Sequence, residues 1–482
     1  MKWGLALFML AFAQDASAQS MSLTFPTSLT MASGLPLPFT GVTISDPNPN
    51  ATTDTVTILM SGSAGGTLSG PGLTGSNPYT LIDAPANITA DLQALTYTPA
   101  VVGNTNAIFD ISVFSTAIAT LQPSAAEVQI QNINLTDEVP YPAPSCTFVS
   151  RNFKGVNISG AENTYPATSQ FNYIYPANVE LDYFASKGFG LIRMPVQIRR
   201  VQEFSYGDLD PIGRTDEPAV SGSVPGTQTN LLAMKSVFDH ACADNLYVVI
   251  DSHDYGYIQD TNTNTSRPIG SDPEATAQFK DWWIRVSTKF SNYPNLIFGI
   301  MNEPYAQTPG QWQVGAVAAI NGIAQVTTSR MVFIPGTSYT GGHSWVSSGN
   351  AAAWAGYVPP AGMQIAFEMH EYLDSDFSGS HAVCAGNGSA PMTAATAWAQ
   401  ANGFKIWIGE IGWSQDPSCP PDAANLMGYF TANEPTYLGW AYWVGGSQAF
   451  YGSYMYTVQP TGYPTGPFAD KPQMSVLIGN LN

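Results

Sequence analysis

The chain has 482 residues, only 11% of them charged, with a formal net charge of −19. So acidic a chain is a poor partner for nucleic acid or an anionic membrane surface, both of which are gripped by clustered Lys and Arg. Its length exceeds the ~150 residues of a typical domain, although α/β barrels run past ~250 residues as one unit.

Residues 1–18 read as a secretory signal peptide. Lys2 is the positive n-region, Trp3 to Ala13 the apolar stretch, and Ala16-Ser17-Ala18 a small-residue site with cleavage expected after Ala18. No later run approaches the ~20 apolar residues of a membrane span, so a secreted, extracellular protein is expected. Residues 19–138 contain no Trp and no Cys. Short alternating runs, such as Thr55-Val56-Thr57-Ile58-Leu59-Met60, are separated by turn signals such as Gly75-Ser76-Asn77-Pro78. This pattern predicts a small all-β sandwich, immunoglobulin-like or cadherin-like, acting as spacer or stabiliser. Residues 139–145 begin Val139-Pro140-Tyr141-Pro142-Ala143-Pro144, a semi-rigid Pro-rich linker.

From Cys146 to Asn482 strand-like and helix-like patterns alternate. Apolar runs fall at Phe153 to Ile158, Gly190 to Val196, Leu246 to Asp251, Leu296 to Met301, Met331 to Pro335, Gln364 to Met369, Lys405 to Gly409 and Leu438 to Trp443. Amphipathic stretches lie between most of them, which predicts an α/β fold, a (β/α)8 TIM barrel. Chemistry in such barrels sits at the carboxyl ends of the strands. Arg193, His253, Asn302, Glu303, His370, Tyr372, Glu410 and Trp443 all fall at or near strand ends. Trp440 competes with Trp443, but alternation along a strand sends the two to opposite faces, and Trp443 is nearer the mouth. The four cysteines allow three pairings. Cys384 with Cys419 is favoured because both follow neighbouring strands at one face, leaving Cys146 with Cys242. The cysteines show no CxxC spacing, and no third ligand accompanies His253 and His370. No metal and no cofactor are expected.

Two glutamates stand out. Glu303 follows the apolar run Leu296-Ile297-Phe298-Gly299-Ile300-Met301, and Glu410 follows Ile406-Trp407-Ile408-Gly409. A carboxylate straight after such a run is expensive to bury, and a pair of carboxyl groups is what glycosidic hydrolysis requires. Ile300-Met301-Asn302-Glu303-Pro304 resembles the strand-four signature of glycoside hydrolase family 5, and Ile408-Gly409-Glu410-Ile411-Gly412-Trp413 resembles its strand-seven segment. Met369-His370-Glu371-Tyr372-Leu373-Asp374 is similar to strand six of the endoglucanase branch, Val249-Ile250-Asp251-Ser252-His253 to strand three and Ile192-Arg193-Met194-Pro195 to strand two. The resemblance spans about residues 146–482, in order. It implies a retaining endo-β-1,4-glucanase, a monomer acting on β-glucan polysaccharide, with Glu303 as acid/base and Glu410 as nucleophile. It further implies that Arg193 keeps Glu410 ionised and that Tyr372 orients it. Asn302 would bind the sugar 2-hydroxyl, His253 and His370 would line the subsite, and Trp443 would stack under the sugar. Alternatives are a family relative acting on mannan, xyloglucan or mixed-linkage glucan, and a non-catalytic glycan-binding barrel. Trp345, Trp354 and Trp413 are read as loop aromatics either binding sugar or capping the core, and Tyr255 and Glu162 as further candidate contacts.

Overall fold

The computed structural model describes residues 22–24, 39, 42–46, 51–61, 66–98, 108–115, 128–131, 140–163, 173–202, 209, 230–260, 265–446 and 453–482. The signal-peptide segment lies outside them. Among the described residues no helix is long and apolar enough to cross a membrane. The chain divides into two compact units, Met1–Asp137 and Glu138–Asn482.

The first unit is built on a five-stranded antiparallel sheet in the order Leu73–Gly75, Tyr79–Asp83, Asp54–Ser61, Ile108–Ser115, Val128–Gln131. Period-two alternation sends Val56, Ile58, Met60, Tyr79, Leu81, Phe109, Ile111 and Val113 into its core. Phe109 is met edge-on by Phe39 and by Tyr97, each at 5.2 Å between ring centroids. A helix, Ile88–Gln93, interrupts the strands and buries Ile88 and Leu92. At six residues it is too short to display a 3.6-residue period, so the sequence pattern does not reveal it.

The second unit is a closed barrel of eight parallel strands. In chain order they are β1 (Phe153–Ser159), β2 (Leu191–Val196), β3 (Tyr247–Ser252), β4 (Leu296–Gly299), β5 (Met331–Pro335), β6 (Gln364–Tyr372), β7 (Ile406–Gly412) and β8 (Tyr437–Gly446). Each falls on one of the apolar runs read from the sequence. The principal helices are α1 (Asn178–Ser186), α2 (Asn230–Ala243), α3 (Pro273–Lys289), α4 (Pro309–Val326), α5 (Asn350–Trp354), α6 (Thr393–Asn402), α7 (Cys419–Ala432) and α8 (Met474–Gly479). Two of their starts are marked by capping side chains. Asp272 accepts the Ala275 N–H at 3.0 Å ahead of Pro273. Thr308 and Gln311 form a capping box ahead of Pro309. Trp282 and Trp283 of α3 are fully buried, and their indole N–H groups bond Ser252 Oγ at 3.0 Å and the Ile300 carbonyl at 3.2 Å. The helix is thereby keyed to the tops of β3 and β4. Tyr141, in the Pro-rich segment, donates its N–H to the Lys289 carbonyl at 2.9 Å and packs against Phe290.

The barrel interior changes character with height. Its lower part is an apolar plug of Leu191, Val249, Ile297, Phe333, Ala366, Trp407 and Ala441, one residue from each of β2 to β8. Side chains of one strand face inward every second residue. Two residues further on, β2 therefore contributes Arg193, β3 Asp251 and β6 Glu368, all fully buried. A charged layer thus lies directly on an apolar one, and the strand ends lie above it.

Two disulfides tie the outer elements, Cys146–Cys242 and Cys384–Cys419. The second spans a separation of 35 residues, and loop-closure entropy for a loop of that size is worth about 4 kcal/mol. Replacing both Cys384 and Cys419 by serine is expected to lower the thermal midpoint by several degrees, read by scanning calorimetry, with the secondary structure of the folded state unchanged.

Candidate active site

The mouth of the barrel gathers the predicted side chains from six strands or their ends. Glu303 follows β4 in a left-handed backbone conformation, φ 38°, which a non-glycine residue holds only where its surroundings enforce it. Its Oε1 lies 2.8 Å from His370 Nδ1. Glu410 sits within β7. Simple alternation from Trp407 and Gly409 would turn it outward. The pairing of β7 slips by one residue against β6 between Met369 and His370 and also shifts against β8 between Ile408 and Ile411. An irregularity of this kind re-aims a side chain, and Glu410 is turned into the mouth. Its Oε1 accepts from Arg193 Nη1 at 3.0 Å and its Oε2 from the Tyr372 hydroxyl at 2.5 Å. His370 Nδ1 lies 3.6 Å from that same Oε2. One oxygen of Glu303, one of Glu410 and a ring nitrogen of His370 lie within 4.8 Å of one another.

Arg193 is the hub. Besides Glu410 it reaches Asn157 Oδ1 at 3.0 Å, Asn302 Oδ1 at 2.8 Å, Asp251 Oδ2 at 3.1 Å and Glu368 Oε1 at 3.0 Å. Burial alone would weaken its hold on its proton. The carboxylates of Asp251, Glu368, Glu410 and Glu303 overcome that and hold it firmly charged. Burial pushes the Glu410 carboxyl up. His370 opposes this, Glu303 adds to it and Arg193 opposes it, and the net direction is upward. Arg193 therefore acts against burial without cancelling it. Burial also works against charge on His370, yet Glu410, Glu303 and Glu368 push its ring up to about 10.

His253 Nδ1 lies 2.7 Å from Asp251 Oδ2, and its ring stacks on that of Trp443 at 6.0 Å and 15°. Trp443 is thus at the mouth. Trp440, of opposite parity, is buried beneath the helices against Phe189. The Tyr255 hydroxyl is 3.3 Å from His253 Nε2, and the residue is 40% exposed. Glu162 turns back on its own loop, accepting from the Gly160 N–H at 2.7 Å and from the Ser159 hydroxyl. Trp345, Trp354 and Trp413 are fully buried core residues and offer no face to a sugar. All eight residues singled out for the site converge here. Three that the sequence reading passed over join them: Asn157, Asp251 and Glu368. The signal available was positional, since Asp251 and Glu368 each precede a strand-end histidine by two residues and so share its face.

Glu303, His370 and Glu410 have the residue types of a metal site. However, each ring nitrogen of His370 faces a carboxylate oxygen, Glu303 at 2.8 Å and Glu368 at 3.3 Å.

Residues 149–446 match the family described as Cellulase (glycosyl hydrolase family 5). The chain belongs to glycosyl hydrolase family 5. Among family relatives, Endoglucanase 1 of Robillarda sp. is 31% identical over 238 residues, covering 48% of this chain and 61% of that protein. The match thus spans about three-fifths of the Robillarda protein's length. The crystal structure of an endo-β-1,4-glucanase of Xanthomonas axonopodis pv. citri is 30% identical, with a TM-score of 0.60, covering 69% of this chain and 98% of that one. That of the Pseudomonas stutzeri endoglucanase in complex with cellobiose is 26% identical, with a TM-score of 0.58, covering 71% of this chain and 95% of that one.

Proposed function

We propose that the chain is a secreted, retaining endo-β-1,4-glucanase that uses Glu303 as acid/base and Glu410 as nucleophile. The observation that carries this is the close approach of the two carboxyl groups, with one oxygen of each within 4.8 Å of the other. Retaining enzymes hold their carboxyl groups about 5–5.5 Å apart, whereas inverting enzymes leave about 6.5–9.5 Å for a water. In the first step Glu303 protonates the glycosidic oxygen while a Glu410 oxygen attacks the anomeric carbon. The C–O bond to the leaving chain breaks and a glycosyl ester forms on Glu410. In the second, Glu303 takes a proton from water, the water oxygen bonds to the anomeric carbon, and the ester bond to Glu410 breaks. Asn302 commits its Oδ1 to Arg193, so its NH2 group is the one offered to the sugar 2-hydroxyl. Trp443, half-buried beside His253, is suited to stack on a sugar face. The endoglucanase relatives, and the cellobiose held by one of them, support β-1,4-glucan as the substrate. Two disulfides accord with an oxidising compartment. The N-terminal sheet accords with an accessory β-domain.

The test is an assay on carboxymethyl cellulose, mixed-linkage β-glucan and mannan, with Glu303→Gln and Glu410→Gln alongside. Internal cleavage of the glucans that both variants lose supports the reading. Activity on mannan alone overturns the substrate, and variants as active as the parent overturn the mechanism.

Two further results are expected. Tyr372→Phe removes a hydrogen bond to a charged nucleophile, so kcat/KM falls roughly 10- to 100-fold while the protein stays folded, read by steady-state kinetics and circular dichroism. The acid limb of kcat/KM lies above 4.5, the ordinary glutamate value. Glu410 must be ionised to attack, its carboxyl is pushed up, and activity is lost as pH falls through that raised value. A profile flat down to pH 4 contradicts this.

A further inference from the structure

Below the catalytic pair lie two carboxylates that the reaction steps above do not use. Asp251 bridges Arg193 Nη2, at 3.1 Å, to His253 Nδ1, at 2.7 Å. Glu368 does the same on the other side, with one oxygen, Oε1, lying 3.0 Å from Arg193 Nη2 and 3.3 Å from His370 Nε2. Glu368 is fully buried, and its Oε2 has no hydrogen-bond partner among the described residues. Burying an ionised carboxylate is costly, and an orphaned oxygen adds to that cost. A side chain kept only for packing would do better apolar. Room for it is also reserved. A Cβ on Gly409, the residue before the nucleophile, would collide with Glu368 Oε1 and crowd the rest of its carboxyl group.

The consequence falls on His370. Its ring is faced by Glu303 from the loop after β4, by Glu368 on its own strand and by Glu410 on β7. Arg193 on β2 shares the Glu368 oxygen, and Tyr372 on β6 is bonded to Glu410. An ionised carboxylate only accepts, so Glu368 requires a proton on Nε2, and the Glu303 and Glu410 oxygens 2.8 Å and 3.6 Å from Nδ1 call for one there too. We propose that Glu368 is a positioning residue that holds His370 doubly protonated, with its Nδ1–H presented to Glu303. This rests on the reading of Glu303 as acid/base. The raised proton affinity of the ring, up to about 10, accords with the geometry. The benefit comes in the second step. Glu410 is then an uncharged ester, and the Nδ1–H of His370, 2.8 Å from Glu303 Oε1, holds that carboxyl group in place as it takes the proton from water.

The test is nitrogen NMR of the full chain labelled with 15N-histidine, followed from pH 5 to 9, with the His370 signals assigned by their loss in His370→Asn. Both ring nitrogens of His370 are expected to stay protonated through pH 8. In Glu368→Gln the titration midpoint should drop by about 1–3 pH units, and kcat should fall about tenfold or more with KM within about twofold. A wild-type ring carrying a single proton at pH 6 overturns the proposal, as does a Glu368→Gln midpoint equal to the parent's. The wild-type reading needs no Glu368 variant, so it decides even if Glu368→Gln does not fold. Gly409→Ala gives a second handle, because it displaces the Glu368 carboxyl without removing its charge and should also lower the midpoint. A doubly protonated ring in a protein without glucanase activity would sink the proposed function and leave the role of Glu368 standing. An active glucanase with a neutral His370 would do the reverse.

Discussion

Truncating Glu410 to alanine is expected to lower cleavage of cellooligosaccharides by about 10,000-fold or more, and azide will restore part of that cleavage. The side chain leaves a hole facing the anomeric carbon, and a small anion can enter it. Attack by azide on that face displaces the leaving group once and gives an α-glycosyl azide. Glu303→Ala should behave differently. A substrate with a good leaving group, such as a dinitrophenyl cellobioside, needs no proton donor, so it still loads Glu410. Water then lacks its base, and the ester accumulates. Azide needs no base, attacks the ester, and gives the β-azide. Opposite anomers from the two variants assign the two roles independently of any rate. The same anomer from both would mean that the roles assigned to Glu303 and Glu410 are wrong. Neither variant should be less stable than the parent. Removing Glu410 takes a buried charge away, and Arg193 keeps Asp251 and Glu368 as partners. Active sites commonly carry such a stability cost for function.

Arg193→Met should have the opposite balance, with stability failing along with activity. The guanidinium is fully buried and contacts three carboxylates at 3.0–3.1 Å. Deleting one partner of a buried ion pair costs about 3–5 kcal/mol, because the other charge is left uncompensated. Here three charges lose their shared cation, so the upper end of that range is expected at pH 7. Acid should relieve the variant, since Glu410, whose carboxyl burial pushes up, then takes a proton and no longer needs the cation. Urea unfolding of parent and variant at pH 7 and pH 4.5 measures this. A stability difference that shrinks at pH 4.5 fits the account. A difference below about 1 kcal/mol at pH 7 contradicts the hub role.

Much of the barrel was legible because its strands are buried on both faces, and such strands read as continuous apolar runs. The polar residues at their ends were legible for the same reason, since they interrupt those runs. Depth was harder to read. Asp251 and Glu368 stand inside strands, two residues before His253 and His370, and a one-dimensional pattern does not say which face of a buried strand meets other polar groups. Only closure of the barrel brings Arg193 between them. The irregularity that turns Glu410 inward was hidden too, because it shows only in the register of β7 against its neighbours. Trp345, Trp354 and Trp413 could not be sorted from sequence, because a loop tryptophan that caps a core and one that awaits a sugar have the same local pattern. The helix Ile88–Gln93 was lost to its brevity.

The most direct test of the central claim is the anomeric configuration of the first product released from a soluble cellooligosaccharide, followed by proton NMR before mutarotation. The close carboxyl pair of Glu303 and Glu410 predicts that the β-anomer signal grows first and the α-anomer follows only as the sugar equilibrates. An α-anomer appearing first would mean single displacement by water, and the assignment of Glu410 as nucleophile would be contradicted.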